Sequence, residues 1–126
     1  MIEATGAEIV NMLECCTANL PDNDGQFPQV SGLRYTVHQQ SYTITDVEVL
    51  SGDTWQAIDP ERTYTIATTD FYSGGGYYDT LKDCTLLFLS NSLYRDVLSD
   101  YFETTLGGII PAEYAQPQGR ITILDD

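Results

Sequence analysis

The tightest constraint on this chain is the run Thr65-Ile66-Ala67-Thr68-Thr69-Asp70-Phe71-Tyr72-Ser73-Gly74-Gly75-Gly76-Tyr77-Tyr78. Its first part, together with Tyr64, is β-branched and aromatic, suits a pleated surface, and predicts a strand over residues 64–69. Three consecutive glycines follow. Glycine loses more conformational freedom on folding than any other residue, so a triplet makes sense where the chain turns sharply or another group approaches the backbone. An aromatic ring beside such a turn is a platform for a flat ligand. Asp70, Phe71, Gly74, Gly75 and Gly76 are therefore candidate binding residues.

The rest of the pattern alternates helical and strand periods. Thr5-Gly6-Ala7-Glu8 reads as a capping box, with the side chains of Thr5 and Glu8 satisfying each other's backbone N–H groups. Ile9, Leu13, Cys16 and Leu20 recur behind it at helical spacing, which predicts a helix over residues 5–20. Pro21-Asp22-Asn23-Asp24-Gly25 ends it as a turn. Strands are predicted over Leu33–His38 and residues 42–50, with a brief pairing over residues 55–58. After the glycines come one or two helical turns over residues 77–82. The continuous apolar run at residues 84–89 reads as a buried strand. Ser92 is expected to cap a helix whose stripe is Leu93, Val97 and Tyr101, widened by Tyr94, Leu98, Phe102 and Leu106. Gly107-Gly108 ends that helix. A Pro-containing loop over residues 109–118 and a last strand over residues 120–124 complete an α+β pattern.

Charge narrows the partners. Among 126 residues, 19 are acidic and 5 basic, for a net charge of −14 at pH 7. Binding to a phosphate backbone or an anionic bilayer needs Lys and Arg, so nucleic acid and membrane surfaces are excluded as expected partners. No apolar run approaches the ~20 residues of a membrane span. The start Met1-Ile2-Glu3-Ala4 has neither the basic residues nor the apolar stretch of an export signal. One domain is expected, and a chain of this size buries roughly two-thirds of its unfolded surface.

Bond-breaking chemistry is hard to find. The single histidine, His38, falls in a predicted strand and reads as a satisfied or surface residue. The chain contains no Gly-x-Ser-x-Gly elbow, no Cys-x-x-Cys, no calcium loop of the Asp-x-Asp-x-Asp-Gly type and no phosphate loop. Cys15, Cys16 and Cys84 are expected to be small buried apolar residues. No metal site and no cofactor are expected in this chain. If it works in catalysis, it supplies binding and a partner supplies the reactive group.

Two aromatic loop residues remain: Phe27, in Gly25-Gln26-Phe27-Pro28-Gln29-Val30-Ser31-Gly32, and Phe71. Facing each other, they would clamp a planar base, each stack contributing about 1–3 kcal/mol. Alternatively each plugs the core. Tyr72, Tyr77 and Tyr78 carry the same two readings, and the nine tyrosines could instead form a protein-binding surface.

In order along the chain, several of these segments resemble the C-terminal, substrate-binding domain of 5′-nucleotidases, a family that includes UDP-sugar hydrolases and 2′,3′-cyclic nucleotide phosphodiesterases. Thr5-Gly6-Ala7-Glu8-Ile9 is similar to the family's helix start. Gly25-Gln26-Phe27-Pro28-Gln29-Val30-Ser31-Gly32-Leu33 resembles its Gly-x-Phe-x-Gln-Val-Ser-Gly motif. Tyr64-Thr65-Ile66-Ala67-Thr68-Thr69-Asp70-Phe71 resembles Tyr-x-Val-Ala-Thr-Asn-Asp-Phe, the glycine turn follows, and Gly119-Arg120-Ile121 resembles the closing strand. The resemblance implies mixed and antiparallel sheets with flanking helices in α/β/β/α layers. It implies that Phe27 and Phe71 sandwich a nucleobase, and that metals and the assisting histidine belong to a separate metallophosphoesterase domain. It also suggests a periplasmic, secreted or cell-surface setting.

Three departures bear on this. Many members read Gly-Gly-Asp-Gly, the Asp accepting from ribose hydroxyls, where this chain has Gly76. Thr69 replaces a common Asn. The family domain starts some fifty residues earlier, with a Gly-Gly-Ile-Arg segment absent here. The chain is thus expected to be a truncated form whose missing strands leave an edge or apolar face open to dimerisation or strand exchange. Three functions follow: recognition of a nucleoside or nucleotide, a scaffold that kept the fold and lost the ligand, or an independent hydrolase with carboxylate-bound metal.

Overall fold

A computed structural model describes residues 1–22, 24–77 and 79–126; the turn residue Asn23 and the ring of Tyr78 lie outside the described residues. The first element is one the sequence pattern does not announce. β1 (Ile2–Thr5) is only four residues long, yet Ile2 and Ala4 alternate into the core. It pairs antiparallel with β5 (Thr63–Ile66) on one side and β6 (Thr85–Leu86) on the other, making a sheet of order β5-β1-β6.

Helix α1 (Gly6–Thr17) follows at once, and its start is the predicted capping box. Glu8 N–H donates to Thr5 Oγ1 at 3.2 Å, and Thr5 N–H donates to Glu8 Oε2 at 2.7 Å. The helix is shorter than the expected 5–20, because Leu20 N–H already turns back to the Thr17 carbonyl. Ile9, Leu13 and Cys16 form its buried face.

The second sheet has the order β4-β3-β2-β7, built from β2 (Leu33–His38), β3 (Thr43–Ser51), β4 (Thr54–Ala57) and β7 (Ile121–Leu124). β2 pairs parallel with β7 and antiparallel with β3, with a register shift between Arg34 and Thr36. Arg34 binds this sheet laterally. It pairs with Glu48 of β3 at 2.5 Å, and its guanidinium lies 4.7 Å from the Trp55 ring on β4. One apolar core joins both sheets to α1 and contains Ile2, Ile9, Leu13, Tyr35, Val37 and Leu81. Each large aliphatic side chain so buried contributes roughly 1.5–3 kcal/mol. The fold is α+β, as the sequence indicates.

Several expectations are corrected. The strand predicted over residues 64–69 stops at Ile66, because Thr69 turns outward to cap helix α2 (Asp70–Ser73), which the sequence pattern presents as part of a turn. The helical turn after the glycines is a single 3-10 turn, Asp79–Leu81, tied to α1 by a 2.7 Å bond from Thr80 Oγ1 to Asn11 Oδ1. The run at residues 84–89 is not a buried strand. Only Thr85 and Leu86 pair, and Leu86, Leu87, Phe88 and Leu89 are exposed, since β6 is a sheet edge with no layer beyond it among the described residues. Helix α3 (Tyr94–Asp100) continues as a π-helical segment (Tyr101–Thr105), and its N-cap is Leu93, without a side-chain bond, instead of Ser92. Its apolar stripe forms but faces solvent. Of the cysteines, Cys16 is buried and Cys84 partly so, whereas Cys15 is exposed.

Candidate functional site

The glycine turn is built by hydrogen bonds that fold it back over Phe71. Thr69 Oγ1 accepts from Tyr72 N–H at 3.4 Å, and Asp70 Oδ1 accepts from Phe71 N–H at 2.9 Å. Together they start α2. Then Gly74 N–H donates to the Asp70 carbonyl (2.9 Å), Gly75 N–H to that of Tyr72 (3.1 Å) and Gly76 N–H to that of Phe71 (2.9 Å). Gly75 sits at φ +87°, a region L side chains rarely adopt. Gly76 is glycine for a different reason. A Cβ there would fall well under 3.0 Å from three atoms of the Phe71 ring. The ring therefore rests directly on the Gly76 backbone.

Tyr72 and Tyr77 brace that ring edge-on. Their centroids lie 5.6 and 5.2 Å from that of Phe71, with interplanar angles of 76° and 80°. This is a favoured aromatic geometry. Phe71 nevertheless stays 52% exposed, so it is not a core plug.

Phe27 is half-buried in a loop that is itself fastened. The Asp24 carboxylate accepts from Gln26 N–H at 3.0 Å, from the Gln26 side chain at 3.1 Å and from the Asn19 amide. The Gln26 backbone bond, then the Asn19 bond, hold the Asp24 carboxyl below the usual carboxylate range. Phe27 N–H donates to the Asp24 carbonyl at 3.2 Å, and Tyr35 Oη reaches the Pro28 carbonyl at 3.4 Å.

Partial burial pushes the Tyr72 hydroxyl up, and the neighbouring Cys16, Tyr77 and Asp24 add to it. Among the described residues Phe27 makes no ring contact with Phe71; the ring contacts are those of Phe71, Tyr72 and Tyr77. Asp70 spends its carboxylate on Phe71 N–H. Asp24 and Tyr35 are the supporting residues that sequence reasoning missed. Asp24 carried a signal, an Asp two residues before Gln26, the spacing of an Asx turn. Tyr35 carried none, because its partner is a loop carbonyl.

His38 serves the second sheet. Its ring nitrogens lie 2.8 Å from Asp126 Oδ1 and 2.9 Å from Thr45 Oγ1, joining β2, β3 and the chain end. Two shallow cavities, of about 210 and 200 Å³, lie elsewhere. One follows β2, β3 and β7 beside Arg34, Asp46 and Glu48; the other is bordered by Glu3, Glu8 and Asp83. Their carboxylates suit a flat neutral base less well than an open ring does. Among the described residues no group of three or more His, Cys, Asp or Glu side chains could hold a metal ion, and no helix is long and apolar enough to cross a membrane.

The fold is thus α+β and carries an exposed aromatic turn on a glycine shelf. The family described as 5′-nucleotidase, C-terminal domain, matches residues 1–83, and the chain belongs to that family. It is 34% identical over 79 residues to the trifunctional nucleotide phosphoesterase protein YfkN of Bacillus subtilis (strain 168), a match covering 59% of this chain and 5% of that protein. The crystal structure of the 5′-nucleotidase precursor from Thermus thermophilus superposes with a TM-score of 0.84 at 25% identity, over 99% of this chain and 25% of that one. The chain thus spans a small part of the curated relative and a quarter of the solved one.

Proposed function

We propose that this chain is a nucleoside-recognising domain of a 5′-nucleotidase-type phosphohydrolase, in which Phe71 and Phe27 stack on the base and Gly74, Gly75 and Gly76 form the pocket floor. The reactive group, with its metals, comes from a metallophosphoesterase domain in the same or a companion chain. The observation that carries the reading is Phe71 itself. It is a half-exposed ring, supported from beneath by a glycine and held at its edges by two tyrosines. A core residue needs no such mounting; a stacking surface does. The acidic composition fits a piece that touches the neutral base and sugar while another domain holds the phosphate.

Calorimetric titration of the 126-residue chain with adenosine or UMP tests this. Two stacks at about 1–3 kcal/mol each give a Kd near millimolar or somewhat tighter. Phe27→Ala and Phe71→Ala should each abolish the heat. Unchanged binding in both variants would refute the clamp.

A second reading, a scaffold that kept the fold and lost its ligand, draws on the ring position: Phe71 fills the space over Gly76, where the resemblance puts a ribose-binding Asp. It predicts no nucleoside heat even at millimolar ligand.

A further inference from the structure

The two rings assigned to the base are held by different means. Phe71 rests on Gly76 and is braced by Tyr72 and Tyr77. Phe27 has no such aromatic brace among the described residues, which leaves its place to the packing and backbone of its loop. That loop converges on one carboxylate. Asp24 Oδ1 accepts from Gln26 N–H at 3.0 Å, and Asp24 Oδ2 accepts from the Gln26 side-chain amide at 3.1 Å and from that of Asn19. The Asp24 carbonyl accepts from Phe27 N–H at 3.2 Å. Asn19 stands just beyond the end of α1, and its own carbonyl accepts from Asp22 N–H at 2.9 Å. The loop that carries Phe27 is thereby tied to the end of a helix whose buried face, with Ile9 and Leu13, belongs to the core.

We infer that Asp24 is a positioning residue for base recognition, a role that rests on the base-clamp reading: as an ion it gathers the N–H donors of Gln26 and Asn19 and so fixes Phe27 relative to α1. Chemistry singles out a carboxylate at this point. An ionised Asp only accepts, with about four lone-pair sites on its two oxygens, so the Gln26 N–H and both side-chain amides are served at once. Asparagine offers one accepting oxygen, and its NH2 group would face the NH2 groups of Gln26 and Asn19. Alanine serves none of them. The Asp24 carboxyl is held below the ordinary carboxylate range, by the Gln26 backbone bond first and the Asn19 bond next, as befits an acceptor kept ionised by its donors. Its oxygens are taken up in these bonds, so Asp24 acts through Phe27 and not by touching the base.

The test uses the intact 126-residue chain and compares Asp24→Ala with Asp24→Asn, which keeps one accepting oxygen for Gln26 N–H. Ring-proton shifts of Phe27 and the amide signals of Gln26 and Phe27 report on the loop; calorimetric titration with adenosine or UMP reports on recognition. Asp24→Ala should move the Phe27 ring signals, leave those of Phe71 nearly in place and weaken nucleoside binding about tenfold or more. Asp24→Asn should recover part of both effects. Asn19→Ala should shift the same Phe27 signals, and its effect should not add to that of Asp24→Ala, because the two side chains share one bond. A merely structural Asp24 would lower the urea midpoint and leave the affinity of the folded chain unchanged; that result overturns the inference, as do unmoved Phe27 ring signals in Asp24→Ala. Should Asp24→Ala fail to fold, Asp24→Asn and Asn19→Ala decide by the same signals. If the parent chain gives no nucleoside heat, the clamp reading fails, and the Phe27 signals still decide whether Asp24 places that ring.

Discussion

At the scale of single residues, the glycine triplet separates into different demands. Gly75 is set by its backbone angle, and Gly76 by the ring above it. Gly74 has neither requirement: its φ is −89°, and a Cβ would stand 3.1 Å from the Asp70 carbonyl oxygen. Alanine at these positions should therefore act unequally. Gly76→Ala forces the Phe71 ring aside. A side chain yields more readily than backbone, so the stability cost should be that of an off-rotamer ring, about 0.5–1.5 kcal/mol. The ring face proposed to stack on the base moves, however. Changed ring-proton shifts of Phe71 and Tyr77, with nucleoside affinity reduced about tenfold, are the expected result, against a much smaller ring displacement for Gly74→Ala. Unaltered Phe71 shifts in Gly76→Ala would show that the ring does not rest where described. The sequence made this site half legible. Consecutive glycines beside a phenylalanine advertise close approach, whereas the bracing by Tyr72 and Tyr77 and the fastening by Asp24 and Tyr35 depend on which loops meet in space.

At the scale of elements, α1 and α3 show what a sequence pattern can and cannot specify. The α1 start is local: Thr5 and Glu8 are three residues apart and satisfy each other wherever the helix is placed. Thr5→Ala should cost about 1 kcal/mol, read as a lower urea midpoint. Ser92→Ala should cost almost nothing, because Leu93 is the cap of α3 and no side chain bonds there. A substantial loss in Ser92→Ala would mean that the start of α3 is held differently. The strands β2, β3, β4 and β7 were legible from alternation and turn residues. β1 was not, because four residues at a chain start carry too little pattern and its identity comes from pairing with Thr63–Ile66. The apolar run at residues 84–89 misled for the opposite reason. Hydropathy records what a segment is suited to bury, and burial requires a second surface, which the described residues do not supply at this edge.

At the scale of the whole molecule, net charge and buried hydroxyls act together as pH rises. The chain already carries −14 at pH 7, and each further ionisation adds repulsion. Tyr35 is buried against the core, and burial, with a smaller contribution from Cys16, pushes its hydroxyl well above the ordinary tyrosine range. Below pH ~10 the hydroxyl is protonated whether the chain is folded or not, and its contribution to stability is fully present. Above that, the unfolded chain releases the proton while the folded chain retains it, so unfolding is favoured and stability falls as pH climbs toward the folded value. Cys84 acts in the same direction from a lower starting point, its thiol raised first by burial and then by Glu8 and Asp83. Tyr35→Phe removes one of these liabilities and only a 3.4 Å bond to the Pro28 carbonyl, a loss of about 1 kcal/mol or less at neutral pH. Urea midpoints of parent and variant should run nearly parallel from about pH 6 to about pH 9 and then diverge, with the variant the more resistant above about pH 10. Curves that stay parallel to the highest accessible pH would mean that Tyr35 ionises equally in both states, and that its ring is not sealed in the core.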